Sequence, residues 1–209
     1  MFERFASNFA PVQKGLKSDP WADAYLGTVG GCAEFSRQWA GTTFEQGLYR
    51  VVDAASGPQL TRLVVEAFPD FSARVHPFAY DWMGRAFAID DGRVNGDQHM
   101  VLLLEPGTGE ALELPHSFTS FHEQLIDITE PALAAGFFRE WANANAGALP
   151  IAPSECAGYK VPLFLGGKDT VENLDVVDLD VYWSLSGQLH SGIRQLPAGT
   201  TISGLSSQK

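Results

Sequence analysis

The 209-residue chain predicts an α+β fold: an antiparallel sheet meander with flanking helices, and a closely packed, smaller α+β part at the carboxyl end. Three observations carry that expectation. Leu60, Leu63, Val64 and Ala67 recur at helical spacing, and between Arg74 and Leu114 the apolar period falls to two. Further on, an apolar run from Tyr159 to Leu165 meets a double glycine ahead of a last amphipathic segment.

The first helix is expected at residues 20–29, with Asp19 as cap, Pro20 in the first position and Gly30 and Gly31 as the stop; a second covers residues 32–39. Residues 42–47 read as a loop feeding a strand at 48–53, and 58–68 as the helix that buries the stripe around Leu60. In the period-two region, strands fall at 74–80, 85–89, 99–104 and 110–114, ordered as an antiparallel meander. Asp90 and Asp91 beside Gly92 read as a turn, because short carboxylates bond the local backbone there. Ser117 or Thr119 caps a helix carrying Phe118, Phe121, Leu125 and Ile126. Thr129, Glu130 and Pro131 start another, which runs through Phe137, Phe138 and Trp141 to Gly147.

Residues 148–157, with Pro150 and Pro153, form the expected boundary between a part spanning 1–147 and one spanning 158–209, which either fold separately or share one sheet or core. Beyond it come a strand at 160–165 and a final helix at 178–195 with Val181, Leu185, Leu189 and Ile193 as its apolar stripe. Asp178 and Asp180 in its first turn complement the macrodipole. Gly187 and Gly192 within it point to close packing against another element, and the tail at 200–209 is expected to be mobile.

With 45% hydrophobic and 19% charged residues the chain has the composition of a folded domain. Its longest apolar runs, 100–104 and 161–165, are far short of the ~20 residues a membrane span needs. The amino terminus lacks the basic head and apolar core of a signal peptide, so a cytosolic location is expected. Cys32 and Cys156, far apart and in no CxxC pair, read as small buried hydrophobes in a reducing compartment.

Net charge is −11, and it is concentrated. Residues 81–130 hold ten acids against Arg85 and Arg93, and Asp169, Glu172, Asp175, Asp178 and Asp180 follow one another with no cation after Lys168. Nucleic acids and anionic membranes are repelled by such surfaces, whereas a basic protein is steered toward them.

Catalytic constellations fail on spacing. The run from Gly166 to Thr170 hints at a phosphate loop, but Pro162 stands where its early glycine belongs and Asp169 where its magnesium-binding hydroxyl belongs. His116 and His122, six apart, do not share a helical face as zinc ligands would, and His76, His99 and His190 are isolated. No cofactor, metal ligand or catalytic residue is therefore assigned, although two of the 25 carboxylates converging in space would make a small hydrolase.

Gly158 to Asp169, then Glu172-Asn173-Leu174 and Tyr182 through Gln188, resemble the C-terminal domain of type VI secretion immunity proteins of the Tdi type. The upstream Phe44, Gly47 to Arg50, Pro77 to Asp81 and Gly84 to Ala88 are similar to the GAD-like domain that precedes it in that family. A more distant likeness is to the SUKH immunity superfamily. The resemblance implies a cytosolic bacterial antitoxin that binds a cognate effector, often a DNase, by stoichiometric protein–protein inhibition. On that reading Asp169, Glu172, Asp175, Asp90, Asp91 and Asp97 are the expected partner contacts, with Trp82 as an exposed aromatic anchor. The rival classes are a scaffold for a host protein, unrelated to any toxin, and a small enzyme.

Overall fold

A computed structural model describes residues 1–13, 21 and 23–194. Seven antiparallel strands lie in strict chain order: β1 (Pro11–Gln13), β2 (Thr43–Phe44), β3 (Tyr49–Val51), β4 (Val75–Asp81), β5 (Ala86–Asn95), β6 (Gln98–Glu105) and β7 (Glu110–Ser117). The meander expected from the period-two pattern is thus present. Helices α1 (Glu3–Asn8), α2 (Cys32–Trp39), α4 (Phe118–Gln124), α5 (Thr129–Leu133) and α6 (Ala135–Ala144) bring their apolar residues to one face of the sheet. Helices α3 (Ser56–Ala67) and α7 (Leu179–Arg194) cover the other. A separate hairpin pairs β8 (Glu155–Tyr159) with β9 (Leu174–Asp178).

Alternation along the central strands builds the two cores. Phe87, Ile89, Val101 and Leu103 point into an aromatic core with Phe5, Phe35, Phe118, Phe121 and Trp141, whereas Ala86, Ala88, Leu102 and Leu104 face α3 and α7. Ala157, Tyr159 and Leu174 of the β8–β9 hairpin belong to the aromatic core. Ser117 caps α4 by accepting from the Ser120 N–H, as expected.

The aromatic core encloses one imidazole. His122 is fully buried; its Nδ1 donates to the Phe118 carbonyl at 2.9 Å, a tautomer inferred from that acceptor, so Nε2 accepts from the Tyr49 hydroxyl at 2.9 Å. Burial lowers its pKa from 6.5 to about 3. Because the folded state refuses a proton that the unfolded chain accepts, this group's share of stability is intact above pH 6.5 and lost as pH falls toward 3. The loss is about 1.4 kcal/mol per pH unit at most in that window. Urea unfolding at several pH values should give a clearly shallower dependence between pH 6 and 4 for His122→Gln than for the native chain.

Several elements depart from expectation. The proposed cap Asp19 and Pro20 lie outside the described residues, as do Gln195 and the tail at 200–209; of the first helix, only a 3-10 turn at Leu26–Thr28 stands among those described. The helix expected from Thr129 to Gly147 breaks at Ala134, which takes a left-handed φ of 49°. Asp90 and Asp91 do not form a turn: β5 continues past them through a bulge, and the chain reverses at Gly96 and Asp97, with Asn95 opposite Gln98.

The C-terminal part differs most. The strand is Glu155–Tyr159, not residues 160–165, because Pro162 cannot donate to a ladder and the chain curls into a 3-10 turn at Leu163–Leu165. The acidic stretch 174–178 supplies its partner strand. On α7 the residues that go inward are Tyr182, Trp183 and Ser186, so Val181 and Leu185 of the expected stripe stand in solvent. Gly187 lies against Ala67 of α3, leaving no room for a Cβ, whereas Gly192 meets nothing. Ion pairs Arg62–Asp180 at 2.9 Å and Arg194–Asp70 at 3.1 Å tie the two ends of α7 to the α3 layer.

Candidate functional surface

The motif residues of the C-terminal part are absorbed in building a rigid loop between β8 and β9. Asn173 is its clamp: its side-chain amide donates to the carbonyls of Val161 and Lys168, and its Oδ1 accepts from the Val161 N–H. The N–H groups of Leu165, Gly166 and Gly167 go to the carbonyls of Pro162, Leu163 and Pro162. No run of free amides is left to cradle a phosphate. A Cβ on Gly167 would run into the Val161 carbonyl oxygen, and one on Gly107 into the Tyr159 and Tyr182 rings, so these positions require glycine for space.

Beneath the loop sits a buried polar junction. Asp81 is inaccessible; its Oδ1 accepts from the N–H groups of Met83 and Arg85, and its Oδ2 is held by the Arg85 guanidinium at 2.6 Å. Burial pushes the Asp81 carboxyl up, opposed by the charge and hydrogen bonds of Arg85. Arg50 donates to the carbonyls of Asp81, Ala152 and Glu155, stitching β3 and β4 to the start of β8. Trp183 Nε1 donates to the Gly84 carbonyl, anchoring α7 at the same place. Burial pushes the nearby Cys156 thiol up to about 12, and the Cys32 thiol is likewise raised by burial. Both stay protonated at neutral pH, unsuited to act as nucleophiles. Among the described residues no group of three or more His, Cys, Asp or Glu is placed to hold a metal.

The candidate contact residues separate into three groups. Asp169, Glu172 and Asp175 are exposed on the loop and on β9. Asp169 accepts from the Tyr159 hydroxyl at 2.6 Å, and Glu172 is held below the usual carboxylate range by its own backbone N–H and by the Thr170 hydroxyl. Asp91 and Asp97 lie toward the far end of the β5–β6 hairpin, about 20 Å along the ladder from the Arg85 end where the C-terminal part docks. The third group is misplaced. Asp90 is inaccessible, its carboxylate gripped by Arg74 at 2.6 Å and 2.8 Å. Trp82, expected outside, is also inaccessible, packed among Phe137, Phe138 and Trp141 with Nε1 donating to the Leu133 carbonyl. Neither side chain is available to a partner.

Sequence reasoning missed Glu155. The β8–β9 register sets it directly opposite Asp178, on one face of the hairpin, and among the described residues neither carboxylate forms an ion pair. The pairing of residues so far apart is visible only in the fold. From Glu155 to Asp180 there are six acids (Glu155, Asp169, Glu172, Asp175, Asp178, Asp180) against Lys160 and Lys168, so this end of the molecule presents a net negative face.

Residues 138–190, from α6 through most of α7, match the family model of the T6SS immunity protein Tdi1, C-terminal. The C-terminal part of this chain is thus similar to the C-terminal domain of the type VI secretion immunity protein Tdi1. A search of curated proteins finds no match. Among solved structures, the crystal structure of Atu4351 from Agrobacterium tumefaciens is similar in fold at 14% identity, with a TM-score of 0.61, over 90% of this chain and 89% of that one. No helix among the described residues is long and apolar enough to cross a membrane.

Proposed function

We propose that this protein is a cytosolic immunity protein that binds a cognate type VI secretion effector, a DNase, and neutralises it by stoichiometric protein–protein inhibition without catalysis. The match of residues 138–190 to the Tdi1 C-terminal family is the observation that carries the reading. The division into an amino-terminal GAD-like part, residues 1–147, and an immunity part, 158–209, belongs to the same proposal. A DNase must offer cations to phosphates, and the carboxylates Asp169, Glu172 and Asp175 are exposed to meet them. Asp91 and Asp97 form a second acidic patch that steers the encounter from the other end of the sheet. Nucleic acid and membranes are not partners of such a surface.

Association kinetics test the electrostatic part. Reversing all three charges in Asp169→Lys, Glu172→Lys and Asp175→Lys should slow association with the effector by about tenfold or more at low salt and much less at ~0.5 M salt, where the Debye length falls to a few ångströms. Equal rates for the variant and the native chain at low salt would remove these residues from the interface.

A further inference from the structure

We infer that the outward face of α7, with Val181 and Leu185 at its centre and the Glu155–Asp178 pair at its edge, is the apolar anchor of the effector interface; this rests on the function proposed above. Val181 is 61% exposed and Leu185 55%, more than any other large apolar side chain among the described residues except Met1. They stand four apart on one helix, so their side chains are neighbours and form one patch. Isolated exposed apolar residues need no explanation, but an adjacent pair on an otherwise well-packed helix does. The inward face of α7 is already filled by Tyr182, Trp183, Ser186 and the close approach of Gly187 to Ala67. Packing inside this chain therefore makes no use of Val181 and Leu185.

Charge chooses the occupant. Asp178 caps α7 by accepting from the Val181 N–H at 3.0 Å, which fixes its carboxylate beside the patch. Glu155 stands across the ladder from it, and like charges directly opposite on a sheet repel. Among the described residues neither carboxylate has an ion-pair partner, so a Lys or Arg from a partner would relieve that repulsion while an apolar neighbour covers Val181 and Leu185. A second copy of this chain would bring the same carboxylates to the contact and deepen the repulsion. The occupant that fits is a basic protein surface with an exposed apolar residue beside its cations, as on a nuclease whose phosphate-binding cleft is being covered.

The test is binding of the purified product of the neighbouring gene, taken as the candidate effector, to the full chain, measured by calorimetry for the native protein, V181S/L185S, V181K/L185K and the control L112K, whose side chain lies on β7 away from α7. The serine pair should weaken binding at least tenfold and the lysine pair about 100-fold, with L112K unchanged. Thermal melting should be the same for all, because the substituted side chains are solvent-facing; if the lysine pair melts early, the serine pair decides. Native-like affinity of the serine pair would overturn the inference and leave the proposed function standing, whereas no binding by the native chain would overturn both. Light scattering that shows a native dimer split by V181K/L185K would assign the face to self-association instead.

Discussion

Replacing Asp81 by alanine should destabilise the fold by about 3–5 kcal/mol, the cost of leaving a buried cation without its partner. Arg85 is almost as inaccessible as Asp81, and its guanidinium would keep the Ala132 carbonyl as a hydrogen-bond acceptor and the charge of Glu105 nearby, with its close carboxylate gone. The N–H groups of Met83 and Arg85 would lose their acceptor as well. Since Arg50 links the same corner to residues 152 and 155, the damage should spread to the docking of the β8–β9 hairpin. Asp81→Asn retains an acceptor for the two N–H groups and should lose less than the alanine variant. Urea unfolding followed by tryptophan fluorescence checks both, and a loss below ~1 kcal/mol for Asp81→Ala would mean the pair contributes no more than a surface ion pair.

Truncating Trp82 to alanine should cost about 3–5 kcal/mol by emptying the centre of the aromatic core under α5 and α6. Its indole touches Phe137, Phe138 and Trp141 and bonds the Leu133 carbonyl, just ahead of the break at Ala134. The variant should therefore loosen the junction of the two helices first, as early hydrogen exchange over residues 129–144. Trp82→Phe keeps most of the packing and loses the hydrogen bond, so it should be milder. Wild-type stability in Trp82→Ala would contradict this placement and restore the residue to the surface, where the sequence alone had put it.

The contrast between Trp82 and Leu60 shows what a sequence of this kind can convey. Leu60, Leu63, Val64 and Ala67 repeat at helical spacing over a full element, and all four are buried. The strands of the meander were legible as short apolar runs separated by turns, although the central ones are covered on both faces and their residues divide between the two cores. Trp82 sits in a tight corner between Asp81 and Gly84, where no period applies and only the distant α5 and α6 decide its surroundings. Asp90 was misread because its partner Arg74 comes from the turn just before β4, sixteen residues away. On α7 the stripe was chosen by hydrophobicity, yet the inward face is set by two aromatics and by Ser186 and Gly187, whose small size admits α3 closely. In the C-terminal motif, Asn173 and Gly167 lie in the stretch that carries the resemblance, and their hydrogen bonds and steric demands show that they hold the loop together. The acidic pair Glu155–Asp178 depends on a β8–β9 register that no local pattern encodes.

The central claim is inhibition of an effector by direct binding, and the most direct measurement is co-purification with the product of the neighbouring gene, taken as the candidate effector, followed by titration of DNA cleavage by that product. A stable complex whose DNA cleavage falls linearly to zero at one equivalent of this protein is the predicted result. Silencing at strongly sub-stoichiometric amounts would contradict it in favour of an enzyme, and full cleavage in the presence of excess protein would contradict it outright.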